Sequence, residues 1–110
     1  MDTELIIKEE TGPELVKFAI TGRIYSSNAN ILETHLGKAL EEKQNNMILN
    51  MSQTEYISSI GIRVILKAYM DAKKAGGDLK IEMPSENVRN VLKITALDEI
   101  LIQPGTQGNT

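Results

Sequence analysis

The chain contains no cysteine and no tryptophan, and only one phenylalanine, three tyrosines, three prolines and one histidine in 110 residues. Without cysteine there is no disulfide and no thiolate to attack a substrate or ligate a metal. With so few rings the core has to be aliphatic, assembled from Ile, Leu, Val and Met. No apolar run approaches the roughly 20 residues that a membrane-spanning helix needs. The start, Met1-Asp2-Thr3-Glu4, is acidic and is followed by only three apolar residues, unlike a signal peptide, so a cytoplasmic protein is expected. Twelve basic and fifteen acidic residues leave a net charge of −3. The basic ones are scattered, with no patch of interleaved aromatics, which argues against nucleic-acid binding. No P-loop spacing is present. The single histidine, His35, falls in the middle of a helical pattern beside Leu36, so it reads as a surface or boundary residue. A histidine phosphocarrier needs its ring at a helix N-terminus, where free N–H groups receive the phosphoryl group. No Ser/His/Asp set is supported either, so an enzyme is not expected, and no metal or cofactor is implied.

What remains is ordinary for a folded domain: 41% apolar and 25% charged residues. One domain is expected over 1–110, with its core in about 4–103 and a polar, Gly-rich loose tail at 104–110. Leu5-Ile6-Ile7 is a short strand, Thr11-Gly12-Pro13 a turn, and Glu14 to Thr21 a half-buried strand that places Val16, Phe18 and Ile20 on one side. Gly22 should end it. Ser26 or Ser27 can cap a helix reaching about Lys43, with Ile31, Leu32, Leu36, Ala39 and Leu40 on its apolar face and Gly37 weakening it. Met47 to Met51 is nearly continuous apolar sequence and reads as a central strand covered on both faces. A second helix carries Ile62, Ile65, Leu66, Tyr69 and Met70 on one face and stops at Gly76-Gly77. Leu79, Ile81 and Met83 alternate as a further strand. Pro84 ends it, and Ser85 caps a short helix that buries Val88, Val91 and Leu92. Ile100-Leu101-Ile102 is a last short strand or a docked extension. The order β-β-α-β-α-β-α-β implies an α/β domain with a mixed sheet of four to five strands and three to four helices.

The richest stretch is Glu55-Tyr56-Ile57-Ser58-Ser59-Ile60-Gly61-Ile62. A strand, a connection and a serine pair opening a helix place a hydroxyl where N–H groups lack internal partners and the helix dipole is positive. A phosphate on such a serine is held by the fold itself. Ser59 and Arg63, four apart, share a helix face, so a phosphate on the first stands one turn from the guanidinium of the second. As plain structure, the serines cap the helix, Gly61 marks the loop-to-helix join, Tyr56 is a half-buried anchor and Glu41-Glu42-Lys43 a solvated helix end.

In this order the residues resemble the anti-sigma factor antagonists of the STAS-domain family. In that family an apolar–polar–apolar strand end leads through a loop to an Asp-Ser-Ser/Ala-Gly-Leu-Gly motif opening a helix. Leu49-Asn50-Met51 corresponds to the strand end and Ser58-Ser59-Ile60-Gly61-Ile62-Arg63 to the motif. The Gly76-Gly77 turn, Leu79 to Met83, Pro84-Ser85 and Leu92 to Leu97 also fit, so the likeness covers about residues 4–103. Gly22-Arg23-Ile24-Tyr25 stands where the family has a Gly-Glu-Leu-Asp-like turn. The resemblance implies phosphorylation at Ser59, or at Ser58 if the register slips by one. It implies a partner switch in which the unmodified protein captures an anti-sigma factor that is also its serine kinase. That capture frees a sigma factor, and a serine phosphatase resets the cycle. The contact surface it implies is Tyr25, Tyr56, Ser58, Ser59, Ile60, Gly61 and Arg63, in a monomer or weak dimer. This chain departs from the motif at Ser58, Ile60 and Arg63, and from the turn at Tyr25. The other reading is a STAS scaffold that is never phosphorylated and joins a stressosome-like assembly.

Overall fold

The computed structural model describes residues 4–104. Period-two alternation in the first half of the chain makes a hairpin. Strand β1 (Ile6–Thr11) and strand β2 (Val16–Ile24) pair antiparallel, from Ile6 opposite Thr21 to Thr11 opposite Val16. Helix α1 (Ala29–Glu41) leads to strand β3 (Asn46–Asn50), which runs parallel to β2. Strand β4 (Thr54–Ile57), helix α2 (Ser59–Lys74), strand β5 (Asp78–Glu82) and helices α3 (Glu86–Ile94) and α4 (Asp98–Leu101) complete the order. The sheet runs β1-β2-β3-β5, with β4 attached to the far end of β2. It is the mixed sheet expected, with five strands and four helices.

One aliphatic core joins the sheet to the helices. Val16, Phe18, Ile20, Met47, Leu49, Leu79 and Ile81 meet Leu32, Leu36 and Ala39 of α1 and Ile62, Ile65, Ala68 and Ala72 of α2. Phe18 touches His35 edge-on, with centroids 6.2 Å apart, and His35 is a half-buried boundary residue as expected. Ser85 caps α3 by accepting from the Val88 N–H, with Val88 and Leu92 buried and Val91 half-buried. Among the described residues, no helix is long and apolar enough to cross a membrane.

Several boundaries differ from the sequence reading, each for a local reason. β2 does not stop at Gly22. It bends there, with φ +112 and a register shift, and continues to Ile24 against a new partner. That partner, β4, was expected as loop. A Cβ at position 22 would lie 2.3 Å from the Glu4 carbonyl oxygen, so the bend has room only for glycine. α1 begins after Ser26 and Ser27, which are exposed turn residues, and Ile31 lies on its outer side, 40% exposed. β3 is central, but its burial alternates. Met47 and Leu49 are buried, whereas Ile48 and Asn50 are half-buried on a face shared with Lys17, Lys80 and Glu82. Lys17 and Glu82 pair across that face at 3.0 Å. On α2 the small residues Ala68 and Ala72 face inward, Leu66 and Tyr69 are half-buried, and Met70 is 50% exposed. β5 ends at Glu82, because Met83 takes φ +51 and turns outward. Of the last short strand or docked extension expected at Ile100-Leu101-Ile102, the first two residues belong to the single turn α4. Ile102 then docks beside Ile81 in a parallel bridge, with the Gln103 N–H donating to the Ile81 carbonyl at 2.8 Å. Of the expected loose tail, residues 105–110 lie outside the described residues.

Candidate functional site

The bend at Gly22 creates the site. Beyond it β2 leaves β3 and pairs parallel with β4, Ile24 lying opposite Ile57. The Thr54 hydroxyl, the one fully buried polar side chain among the described residues, donates to the Ile20 carbonyl at 2.8 Å and fixes where β4 starts. The two strands end level, so Tyr25 and Ser58 emerge side by side. The Ser58 N–H donates to the Ile24 carbonyl at 2.8 Å.

Ser58 is the N-cap of α2. Its backbone is extended, and its Oγ accepts from the Gly61 N–H at 3.1 Å. Ser59 is the first helical residue and is exposed, and its hydroxyl has no hydrogen-bond partner among the described residues. The two serines therefore differ: one oxygen is engaged by the helix it caps, the other is presented to solvent. The first turn of α2 holds no acidic residue, so its free N–H groups and dipole are uncompensated there.

Gly61, at the loop-to-helix join, has an internal reason to be glycine. It is buried, and a Cβ there would lie 2.8 Å from both Ile24 Cγ2 and Ile57 Cγ1. The missing side chain lets the helix start sit directly on the two strand ends. Ile60 is half-buried against the core and Arg63 is exposed.

The rings of Tyr25 and Tyr56 meet with centroids 5.5 Å apart and tilted by 41°, so two residues 31 positions apart in sequence form one aromatic patch. Tyr56 is more open than a half-buried anchor, at 45% exposed. Arg23 braces the patch. Its Nε donates to Glu55 Oε1 at 3.1 Å and its Nη1 to the Tyr25 hydroxyl at 3.5 Å. The Tyr25 hydroxyl and then the Glu55 carboxylate push the Arg23 guanidinium up from its ordinary value. Asn28 holds the turn after β2, its Oδ1 accepting from the Tyr25 N–H at 2.8 Å and its Nδ2 donating to the Arg23 carbonyl at 3.0 Å. On the other edge of β4, Ser85 Oγ donates to the Thr54 carbonyl, and Asn87 Nδ2 donates to the Glu55 carbonyl at 2.9 Å.

The sequence reading named Tyr25, Tyr56, Ser58, Ser59, Ile60, Gly61 and Arg63. The structure gathers them around the ends of β2 and β4 and the start of α2. It adds Arg23, Asn28, Thr54, Glu55 and Asn87. Asn28 carried a readable signal as a turn-forming residue before a helical pattern. The roles of Arg23 and Glu55 depend on a pairing 32 positions apart, which no local pattern shows.

The STAS domain profile matches residues 6–108. The Bordetella bronchiseptica protein BtrV, named as a provisional anti-sigma factor antagonist, is 29% identical over 76 residues, covering 69% of this chain and 66% of that protein. The chain thus spans just under two thirds of that relative. A Thermotoga neapolitana homologue of TM1081, named in the same way, is 33% identical over 78 residues, covering 66% of this chain and 69% of its own length. Among solved structures, the anti-sigma factor antagonist SpoIIAA in its unphosphorylated form superposes with a TM-score of 0.79 at 17% identity, covering 88% of this chain and 86% of that one. The phosphorylated form of the Bacillus protein gives 0.72 at 16% identity, covering 88% and 89%. At these identities the two structures establish a shared fold.

Proposed function

The chain belongs to the STAS domain family, and on that premise we propose that it is an anti-sigma factor antagonist switched by phosphorylation of Ser59. The observation that carries the reading is the division of labour between the two serines. Ser58 is occupied as the cap, while Ser59 stands exposed at the head of α2 beside an open aromatic patch. The names of its relatives support the partner class.

In this reading the unmodified domain captures an anti-sigma factor that is also a serine kinase. Tyr25, Tyr56, Ser59, Ile60 and Arg63 form the contact, and Ser58 and Gly61 shape it from beneath. Among the described residues no carboxylate or imidazole is hydrogen-bonded to the Ser59 hydroxyl, so the kinase brings its own base. A phosphate adds about −1.5 to −2 charges at neutral pH. At a helix start the dipole favours it by roughly 0.3–1 kcal/mol, so the domain stays folded and the change acts at the interface. A thousandfold loss of affinity corresponds to about 4 kcal/mol, which the desolvation of a phosphate dianion at the interface readily supplies. The protein works by being bound, as a single cytoplasmic domain, and a serine phosphatase restores it.

The test is incubation with an anti-sigma serine kinase of the same organism and ATP, read by intact mass and by calorimetric titration of the anti-sigma factor. Wild type and Ser58→Ala should each gain one phosphate and lose affinity, and Ser59→Ala should gain none. An unmodified wild type that still assembles with other STAS proteins would establish the scaffold role instead.

A further inference from the structure

Cations near the head of α2 are mostly committed. Arg23 is held by Glu55 and Tyr25, and Lys67 is paired with Asp71 at 2.9 Å, one turn further along the helix. Arg63 lies between them in sequence, is exposed, and makes no hydrogen bond or ion pair among the described residues. It follows Ser59 by four positions on the same helix, so their Cβ atoms are neighbours about 5–6 Å apart. Every Cα–Cβ bond of a helix tilts toward the N-terminus, so a long side chain at position 63 leans back over position 59. An acidic group one turn ahead of a basic one is also the favourable order along the helix axis. The serine that is exposed and the cation that is uncommitted are thus the two that geometry brings together.

Resting on the switch reading above, we infer that Arg63 is the internal counter-ion of phosphorylated Ser59. Its guanidinium donates to the phosphate oxygens and holds the modified side chain along the flank of α2. The phosphate then has two supports, the free N–H groups at the helix start and a planar cation suited to binding two oxygens at once. The pairing sets how long the modified state lasts, because a phosphatase must pull the phosphate away from Arg63 before cleaving it. The fold of the unmodified domain is unaffected, since Arg63 has no partner within it to lose.

The test installs phosphoserine at position 59 by genetic encoding, so that it does not depend on any kinase and fails independently of the switch reading. A ³¹P NMR titration then compares the intact protein with Arg63→Gln, Arg63→Lys and Lys67→Gln. Because a nearby cation favours the doubly charged phosphate, Arg63→Gln should raise the phosphate pKa by about half a unit, and Arg63→Lys should recover part of the difference. Dephosphorylation by a broad-specificity phosphatase should be several-fold faster in Arg63→Gln. Superimposable titrations for the intact protein and Arg63→Gln would overturn the pairing. So would an equal displacement in Lys67→Gln, which would trace the effect to the general field of the helix.

Discussion

The same substitution at two helical glycines should have opposite signs. Gly37 in α1 faces open space, with nothing within 4 Å of where a Cβ would stand. Alanine there removes the flexibility penalty of a helical glycine and should stabilise the domain by about 0.5–1 kcal/mol. Gly61 in the first turn of α2 gains the same intrinsic preference but meets a wall. Its Cβ would sit 2.8 Å from Ile24 Cγ2 and from Ile57 Cγ1, and both isoleucines are buried at strand ends. Neither contact atom is the free end of a long side chain, so the helix start has to lift. Overpacking of this kind costs about 1–3 kcal/mol, and subtracting the gain in helix preference leaves a net loss of about 1–2 kcal/mol for Gly61→Ala. For a domain of this size that lowers Tm by roughly 5–15 °C, against a rise of a few degrees for Gly37→Ala. Urea unfolding monitored by far-UV circular dichroism measures both. If Gly61→Ala matched or exceeded the wild type, the claim that α2 sits on the ends of β2 and β4 through its bare backbone would be refuted.

Ser58→Ala should cost about 0.5–2 kcal/mol of stability through the lost cap, measured by urea unfolding, while Ser58→Asp should keep most of it. Thr54→Val should cost about 1–3 kcal/mol, because the buried Ile20 carbonyl loses its donor without any change in side-chain size. On the proposed function, Tyr25→Ala and Tyr56→Ala should each weaken capture of the anti-sigma factor about tenfold or more in calorimetry while leaving Tm within a few degrees, because both rings present exposed faces. Gly77→Ala should be more damaging than Gly61→Ala in the same unfolding assay, because its Cβ would meet a backbone atom, the Asn45 carbonyl oxygen, at 2.1 Å.

Where local chemistry decides the structure, the sequence was readable. Ser58-Ser59 at a helix start, Gly76 in a left-handed turn and Ser85 after Pro84 are each set by backbone requirements within four residues. The central place of β3 followed from its apolar run. What escaped was decided at long range. β4 is four residues long with two of them exposed, and it is a strand only because β2 swings toward it after Gly22. Met70 and Met83 looked like core on size and alternation, yet Ala72 on α2 and a positive φ after Glu82 assign the inward positions to others. The candidate site divides in the same way. Its serines were visible in one short segment, whereas the contact of Tyr25 with Tyr56 and the bracing by Arg23 exist only once two distant strands end level.

β4 has unlike borders. One is a backbone ladder with β2, and the other is fastened by two donors from the beginning of α3, Ser85 and Asn87. The platform presenting Ser59 is therefore clipped from behind rather than woven into the fabric on both sides. Loosening those clips frees the ledge while the hairpin and β3 remain knitted together. An alteration confined to the 85–87 segment is felt at the serine through Thr54 and Glu55, four and three residues short of the cap.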